Sequence, residues 1–210
     1  SIDSYAFVDC GNLKNVVIGE NVTKIGCYAF LKCVSLQSIE IPDSVTEIEG
    51  WAFRECSALK NVKLSKSILT MGNYAFGYCS EIESIEIPKS LKSTGGPFIG
   101  CKGLKEVIFE KGITRIASHL FDGCNGLEEI VIPDTVTSID SYAFVDCGNL
   151  KNVVIGENVT KIDWYAFLKC VSLQSIEIPN SVTEIEGWAF RDCSALQEAY
   201  IADSVTSIGN

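Results

Sequence analysis

Histidine occurs once in this chain of 210 residues, methionine once and proline five times. A lone imidazole leaves little for acid–base catalysis by histidine or for His-rich metal sites. Basic residues are scarce as well: 17 Lys and Arg against 27 Asp and Glu give a net charge of −10. That balance argues against binding nucleic acid or an anionic membrane surface by bulk electrostatics. No run approaches the roughly 18 apolar residues of a membrane helix, so membrane insertion is not expected. Gly-rich phosphate loops, H-E-x-x-H and EF-hand patterns are absent, and no cofactor is expected.

What the chain has in quantity is repetition, which is tested before single motifs. AFVDCGNLKNVVI at residues 6–18 returns unchanged at 143–155, and AFLKCVSLQSIEI, AFRECSALKNVKL and AFGYCSEIESIEI keep its frame. The frame phenylalanines are Phe7, Phe30, Phe53, Phe76, Phe98, Phe121, Phe144, Phe167 and Phe190, spaced by 23 residues except for 22 between Phe76 and Phe98. A cysteine follows each by three residues, and Leu or Ile by three more. An I-x-I-P-like stretch and then S-V-T-x-I complete the unit, as in residues 36–48.

Nine such units predict a solenoid over residues 1–210, each coil burying its apolar letters against its neighbours. I-x-I alternation with β-branched residues predicts a short strand with one open face, closed by the proline that often follows. V-T-x-I predicts a second extended piece. The A-F-x-x-C segment is too short for a stable helix and predicts a helical or 3₁₀ turn. The short unit, SLKSTGGPF at 90–98, puts Gly95-Gly96-Pro97 where an aromatic-Ala pair belongs, and a kink or looser coil is expected there.

The unit C-x-x-L-x-x-I-x-I-P-x-S-V-T-x-I-x-x-x-A-F-x-x resembles the BspA-like (treponemal-type) leucine-rich repeat, over essentially the whole chain. The resemblance implies a leucine-rich-repeat solenoid with a parallel β-sheet on one face. It also implies a cell-surface or secreted protein of a host-associated microbe that acts in adhesion and protein binding. Fold alone does not fix the partner.

The ten cysteines raise two readings. Redox or metal chemistry would use nine thiols in register; alternatively, a small soft hydrophobe fills the same tight turn in every coil. Equivalent Cβ atoms on stacked coils would lie about 4.8 Å apart and point the same way, poor geometry for a disulfide. C-x₂-C pairs typical of zinc sites are lacking. The structural reading is preferred, with Phe7, Cys10, Phe30, Cys33, Phe53, Cys56, Phe144 and Cys147 as core residues. Cys27 alone falls outside the register, opposite Trp164 in the aligned copy, and is expected at the surface.

His119 substitutes in a column otherwise filled by Tyr5, Tyr28, Trp51, Tyr74, Tyr142, Tyr165 and Trp188, so no catalytic role is expected and the chain is not read as an enzyme. The column could form a ridge for sugar or protein, or simply pack on itself. Thr23, Thr46, Thr114, Thr137, Thr160, Thr183 and Thr206 are expected to face inward as a hydroxyl ladder. Asn21 and Asn158 match the N-glycosylation sequon but are as simply N-V-T versions of S-V-T.

The middle letter of I-x-I points outward and runs Val17, Glu40, Lys63, Glu86, Ile108, Val131, Val154, Glu177, Tyr200. Ile108, Val131 and Val154 make three apolar letters in succession, flanked by Glu106, Glu129 and Asn152. An exposed apolar patch with a polar rim predicts protein binding, and Tyr200 is a further candidate. Residues 1–59 and 138–196 differ at four positions only (Gly26/Asp163, Cys27/Trp164, Asp43/Asn180, Glu55/Asp192), which reads as a duplicated block. Such copying also suits a spacer that displays another domain. The chain opens and closes in the same repeat phase without polar caps, which reads as a segment of a longer chain or as ends that stack on another copy.

Overall fold

The computed structural model describes residues 1–209, and its seventeen strands are short because each coil turns twice within 23 residues. The odd-numbered strands come from V-T-x-I: β1 (Lys24–Ile25), β3 (Glu47–Ile48), β5 (Thr70–Met71), β7 (Ser93–Thr94), β9 (Arg115–Ile116), β11 (Ser138–Ile139), β13 (Lys161–Ile162), β15 (Glu184–Ile185) and β17 (Ser207–Ile208). The even-numbered strands come from I-x-I: β2 (Ser38–Glu40), β4 (Asn61–Lys63), β6 (Ser84–Ile87), β8 (Glu106–Phe109), β10 (Glu129–Val131), β12 (Asn152–Val154), β14 (Ser175–Ile178) and β16 (Glu198–Ile201). All pairings are parallel and join equivalent residues of consecutive coils, as in Ile39↔Val62 and Val131↔Val154. The chain is therefore a parallel-strand leucine-rich-repeat solenoid. Its coils are numbered 1 to 9 by the frame phenylalanines.

The turn segment between the two strands contains no helix among the described residues. It is a run of single i→i+3 bonds, such as Ala29 N–H to Gly26 O (3.3 Å), Leu31 to Tyr28 (3.1 Å) and Cys33 to Phe30 (3.2 Å). Two left-handed residues per coil, such as Tyr28 (φ 58°) and Lys32 (φ 58°), keep these turns from propagating as a helix. Each costs a non-glycine residue about 1–2 kcal/mol. What the distortion provides is direction. The N–H groups of Tyr28, Phe30 and Lys32 all point along the stack and donate to Gly50, Ala52 and Arg54 of the next coil at 3.1, 2.7 and 2.9 Å. The turns thus form a third backbone ladder.

Inside these ladders the apolar letters make one continuous column. Phe30, Phe53, Phe76, Phe98, Phe121, Phe144 and Phe167 are fully buried, and neighbouring rings such as Phe30–Phe53 lie 5.0 Å apart and 4° from parallel. Cys33, Cys56 and Cys147 are fully buried too. The expected burial of Phe7 and Cys10 is corrected: Phe7 is 42% exposed and Cys10 is exposed, because coil 1 has a described neighbour on one side only. The threonine column is corrected as well. Val45 and Ile48 take the inward directions of V-T-x-I, so Thr46 points out, and Thr23, Thr114, Thr137 and Thr160 are exposed. The hydroxyl ladder nevertheless exists on the outside: Thr137 Oγ1 donates to Thr114 O and Thr160 Oγ1 to Thr137 O, both at 3.1 Å.

The 22-residue unit keeps its turn but interrupts the stack. Gly96 (φ 78°) and Gly100 (φ 74°) hold the two left-handed positions, so coil 5 repeats the turn geometry without an aromatic ring. Between coils 5 and 6, however, β7 does not pair with β9, which divides the odd ladder into four and five strands, whereas the even strands pair two by two throughout. Phe98 and Gly100 also lack the turn-ladder bonds that Phe76 and Tyr78 make to Pro97 and Ile99 at 2.8 and 2.9 Å. The phenylalanine stack is interrupted here too: it runs to Phe98 and resumes at Phe121, which meets Phe109 edge-on at 6.3 Å and 77°. Thr94 Oγ1 to Ser118 O (2.5 Å) and Cys124 Sγ to Phe98 O (3.4 Å) tie the two halves across this seam.

Candidate functional site

Strand alternation fixes which letters reach water on the even-strand face. In β10 Ile130 points in and is 4% exposed, while Glu129 and Val131 point out; in β12 Val153 points in while Asn152 and Val154 point out. Val131 and Val154 are direct cross-strand partners, 62% and 56% exposed, and Glu129 lies opposite Asn152. Ile108, 48% exposed, is paired with Glu86 in β6 and holds the outward position equivalent to the valines in the preceding coil, on the other side of the seam. The three apolar side chains thus form a stripe over three consecutive coils. Tyr200 is separated from it: its cross-strand partner is Glu177, and its hydroxyl donates to Glu198 Oε2 at 3.2 Å. Val17 is isolated in coil 1 beside the coil that carries Glu40.

Charge borders the stripe on one side. Glu106 and Glu129 are exposed equivalents in adjacent coils, and neither enters an ion pair among the described residues. The next column out is compensated, with Lys151 Nζ 2.8 Å from Glu128 Oε2. Glu40 is likewise neutralised by Lys63. The stripe is therefore apolar at its centre, with Glu106 and Glu129 along one edge and Lys105 and Lys151 in the hollow beside Glu129, a polar rim around an apolar centre.

The cysteine column shows a different chemistry. Eight thiols, those of Cys33, Cys56, Cys79, Cys101, Cys124, Cys147, Cys170 and Cys193, donate to the carbonyl of the phenylalanine one coil back, at 3.1–3.4 Å. Burial pushes the Cys101 thiol up to about 12 and raises Cys124 and Cys147 as well. A thiol that remains protonated is neither a nucleophile nor a metal ligand. No group of three or more His, Cys, Asp or Glu among the described residues is placed to hold a metal ion. Cys27 is half-buried, and burial followed by the Glu49 carboxylate raises its thiol, so it is not an activated one.

His119 keeps its place in the aromatic column, stacked on Tyr142 at 4.6 Å and 7°, with Nδ1 3.1 Å from Asp122 Oδ2. The rings of this column pack face to face, as Tyr28–Trp51 do at 5.2 Å and 4°, so most ring faces are covered by other rings. One cluster departs from that pattern and escaped the reading by columns: Trp164, 43% exposed, meets Trp188 edge-on at 6.2 Å and 72°. Its signal in the sequence was the Cys27/Trp164 difference between the duplicated blocks.

Comparison with known proteins bears on the whole array. The family model described as BspA type leucine rich repeat region (6 copies) matches residues 1–128 and 96–210. No curated protein sequence matches the chain. Among solved structures, a leucine-rich repeat protein from Bacteroides ovatus is 25% identical with a TM-score of 0.54, over 99% of this chain and 72% of that one. The pneumococcal vaccine antigen PcpA is 28% identical with a TM-score of 0.61, over 90% of this chain and 50% of its own, so the present chain spans about half of it. The T. pallidum leucine rich repeat protein TpLRR is 26% identical with a TM-score of 0.56, over 82% and 70%.

Proposed function

The chain belongs to the BspA type leucine-rich repeat family, and from that premise we propose that it is the protein-binding part of a cell-surface or secreted protein, engaging its partner through the open face of the even-strand sheet. The observation that carries this is the stripe of Ile108, Val131 and Val154. In equivalent positions other coils carry Glu40, Lys63, Glu86 and Glu177, so the fold does not require apolar letters there. Contiguous exposed apolar side chains with a polar rim mark interaction sites. The apolar centre and its polar rim favour a partner segment with apolar side chains flanked by polar ones. A host extracellular or surface protein is the partner class proposed, and the likeness to a pneumococcal vaccine antigen supports a location outside the cell.

A second reading, a spacer that displays another domain, is favoured by the duplication of residues 1–59 as 138–196, since a length-setting stalk tolerates copying. Binding to a panel of immobilised matrix and serum proteins separates the two. The stripe predicts a ligand whose binding is lost in I108D/V131D/V154D while the melting temperature holds. Binding that survives this variant refutes the stripe as the site, and absence of binding across the panel favours the spacer.

A further inference from the structure

Trp164 stands where the fold needs nothing of the kind. Its column, the residue before the aromatic position, otherwise holds Ser4, Cys27, Gly50, Asn73, Gly95, Ser118, Ser141 and Gly187. The neighbours above and below are Ser141 and Gly187, as the ladder bonds Tyr142 N–H to Trp164 O (3.0 Å) and Tyr165 N–H to Gly187 O (3.3 Å) show. Neither can cover an indole. The duplicated coil is a built-in control: with Cys27 at this place, Tyr28 and Trp51 stack within 4° of parallel. With Trp164, Trp188 is instead tilted 42° from Tyr165. Two of the four differences between the blocks, Gly26/Asp163 and Cys27/Trp164, therefore create one exposed aromatic corner beside a new carboxylate.

The charges around the corner favour a cation. Lys161 is shared by Glu184 (3.7 Å) and Glu186 (2.8 Å), and Arg191 has Asp192 at 3.7 Å. Asp163 Oδ1 accepts the Trp164 backbone N–H at 2.8 Å, and its charge adds to the negative field on Lys161 without forming an ion pair with it. Four carboxylates thus face two cations. One indole of the cluster already carries a cation, since the Arg191 guanidinium lies 5.7 Å from the Trp188 centroid. We infer that Trp164 and Asp163 form a second contact site, away from the sheet stripe and independent of it, for an Arg or Lys side chain of a protein partner. The cation stacks on the indole face while Asp163 supplies the opposite charge.

Titration calorimetry with a tri-arginine amide peptide, and in parallel with the neutral oligosaccharide maltohexaose, tests this on the full chain. W164C and D163G restore letters that coil 2 carries naturally, so folding is retained. The peptide is expected to bind the native chain, to weaken about fivefold in W164C, the scale of one cation–π contact at an exposed site, and to weaken further at high salt. Gly26 lies against the Ile2–Ser4 backbone and leaves no room for a side chain, so the graft is C27W alone, which is expected to add a second, weaker peptide site. Unchanged peptide binding in W164C overturns the inference. So does Trp164-dependent binding of the oligosaccharide without peptide binding, which would make the corner a glycan platform.

Discussion

A thiol reagent added to the native protein at pH 8 discriminates filler from chemistry in the cysteine column. With its thiol pushed up to about 12, Cys101 is ionised in about one molecule in 10⁴ at that pH, whereas an ordinary exposed thiol is ionised in about one in four. Thiolate supply alone therefore slows the buried site by about 10³-fold. Access slows it further, because Cys101 has no exposed surface and must wait for the coil to open. Stopped-flow titration with a chromogenic disulfide should show a fast phase from Cys10, a slower one from the half-buried Cys27, and the fully buried thiols from Cys33 to Cys170 only in denaturant. C10S should remove the fast phase and C101S should leave it intact. Eight or nine thiols reacting together in the native state would refute the assignment of the column to packing.

Other outcomes follow from the same geometry. Phe144→Ala should cost about 3–5 kcal/mol in urea unfolding, because the ring is fully buried between Phe121 and Phe167. Phe7→Ala, at a ring 42% exposed and stacked on one side, should cost less than half as much. Burial holds the Cys101, Cys124 and Cys147 thiols protonated, so their stabilisation is complete below the ordinary thiol range and is lost as pH rises through it towards the folded values. The melting temperature should fall above pH 9, and Cys101→Ala should make the fall shallower by about 1.4 kcal/mol per pH unit. A flat profile would contradict the burial argument. At the seam, amide exchange at Phe98 and Gly100 should be at least about tenfold faster than at Phe76 and Tyr78, whose ladder bonds are intact.

The architecture was legible because each coil repeats the same inward letters: Phe30, Cys33, Leu36, Ile39 and Ile41 are all at most 3% exposed. The outward direction of Ile108, Val131 and Val154 followed from strand alternation alone. Three things were not legible, each for a physical reason. The direction of the threonines depends on the three-residue step between the inward Val and the inward Ile of V-T-x-I, which breaks simple alternation. The left-handed residues carry ordinary letters such as Tyr28, Lys32 and Glu55, since the position is enforced by the next coil's carbonyls rather than by glycine. The short unit marked the place of irregularity, yet the ladders part at the boundary with coil 6, where Phe109 turns its ring against Phe121. Thiol-to-carbonyl bonds join residues 25 or 26 apart and leave no local signature beyond the cysteine itself.

The claim that function is carried by the open sheet face is tested most directly by a hydrogen-exchange footprint of the native chain with whichever matrix or serum protein it binds. The account predicts new protection in β8, β10 and β12 together, around Ile108, Val131 and Val154, and its loss in the triple aspartate variant. Protection confined to the turn columns, with those three strands unchanged, would contradict it.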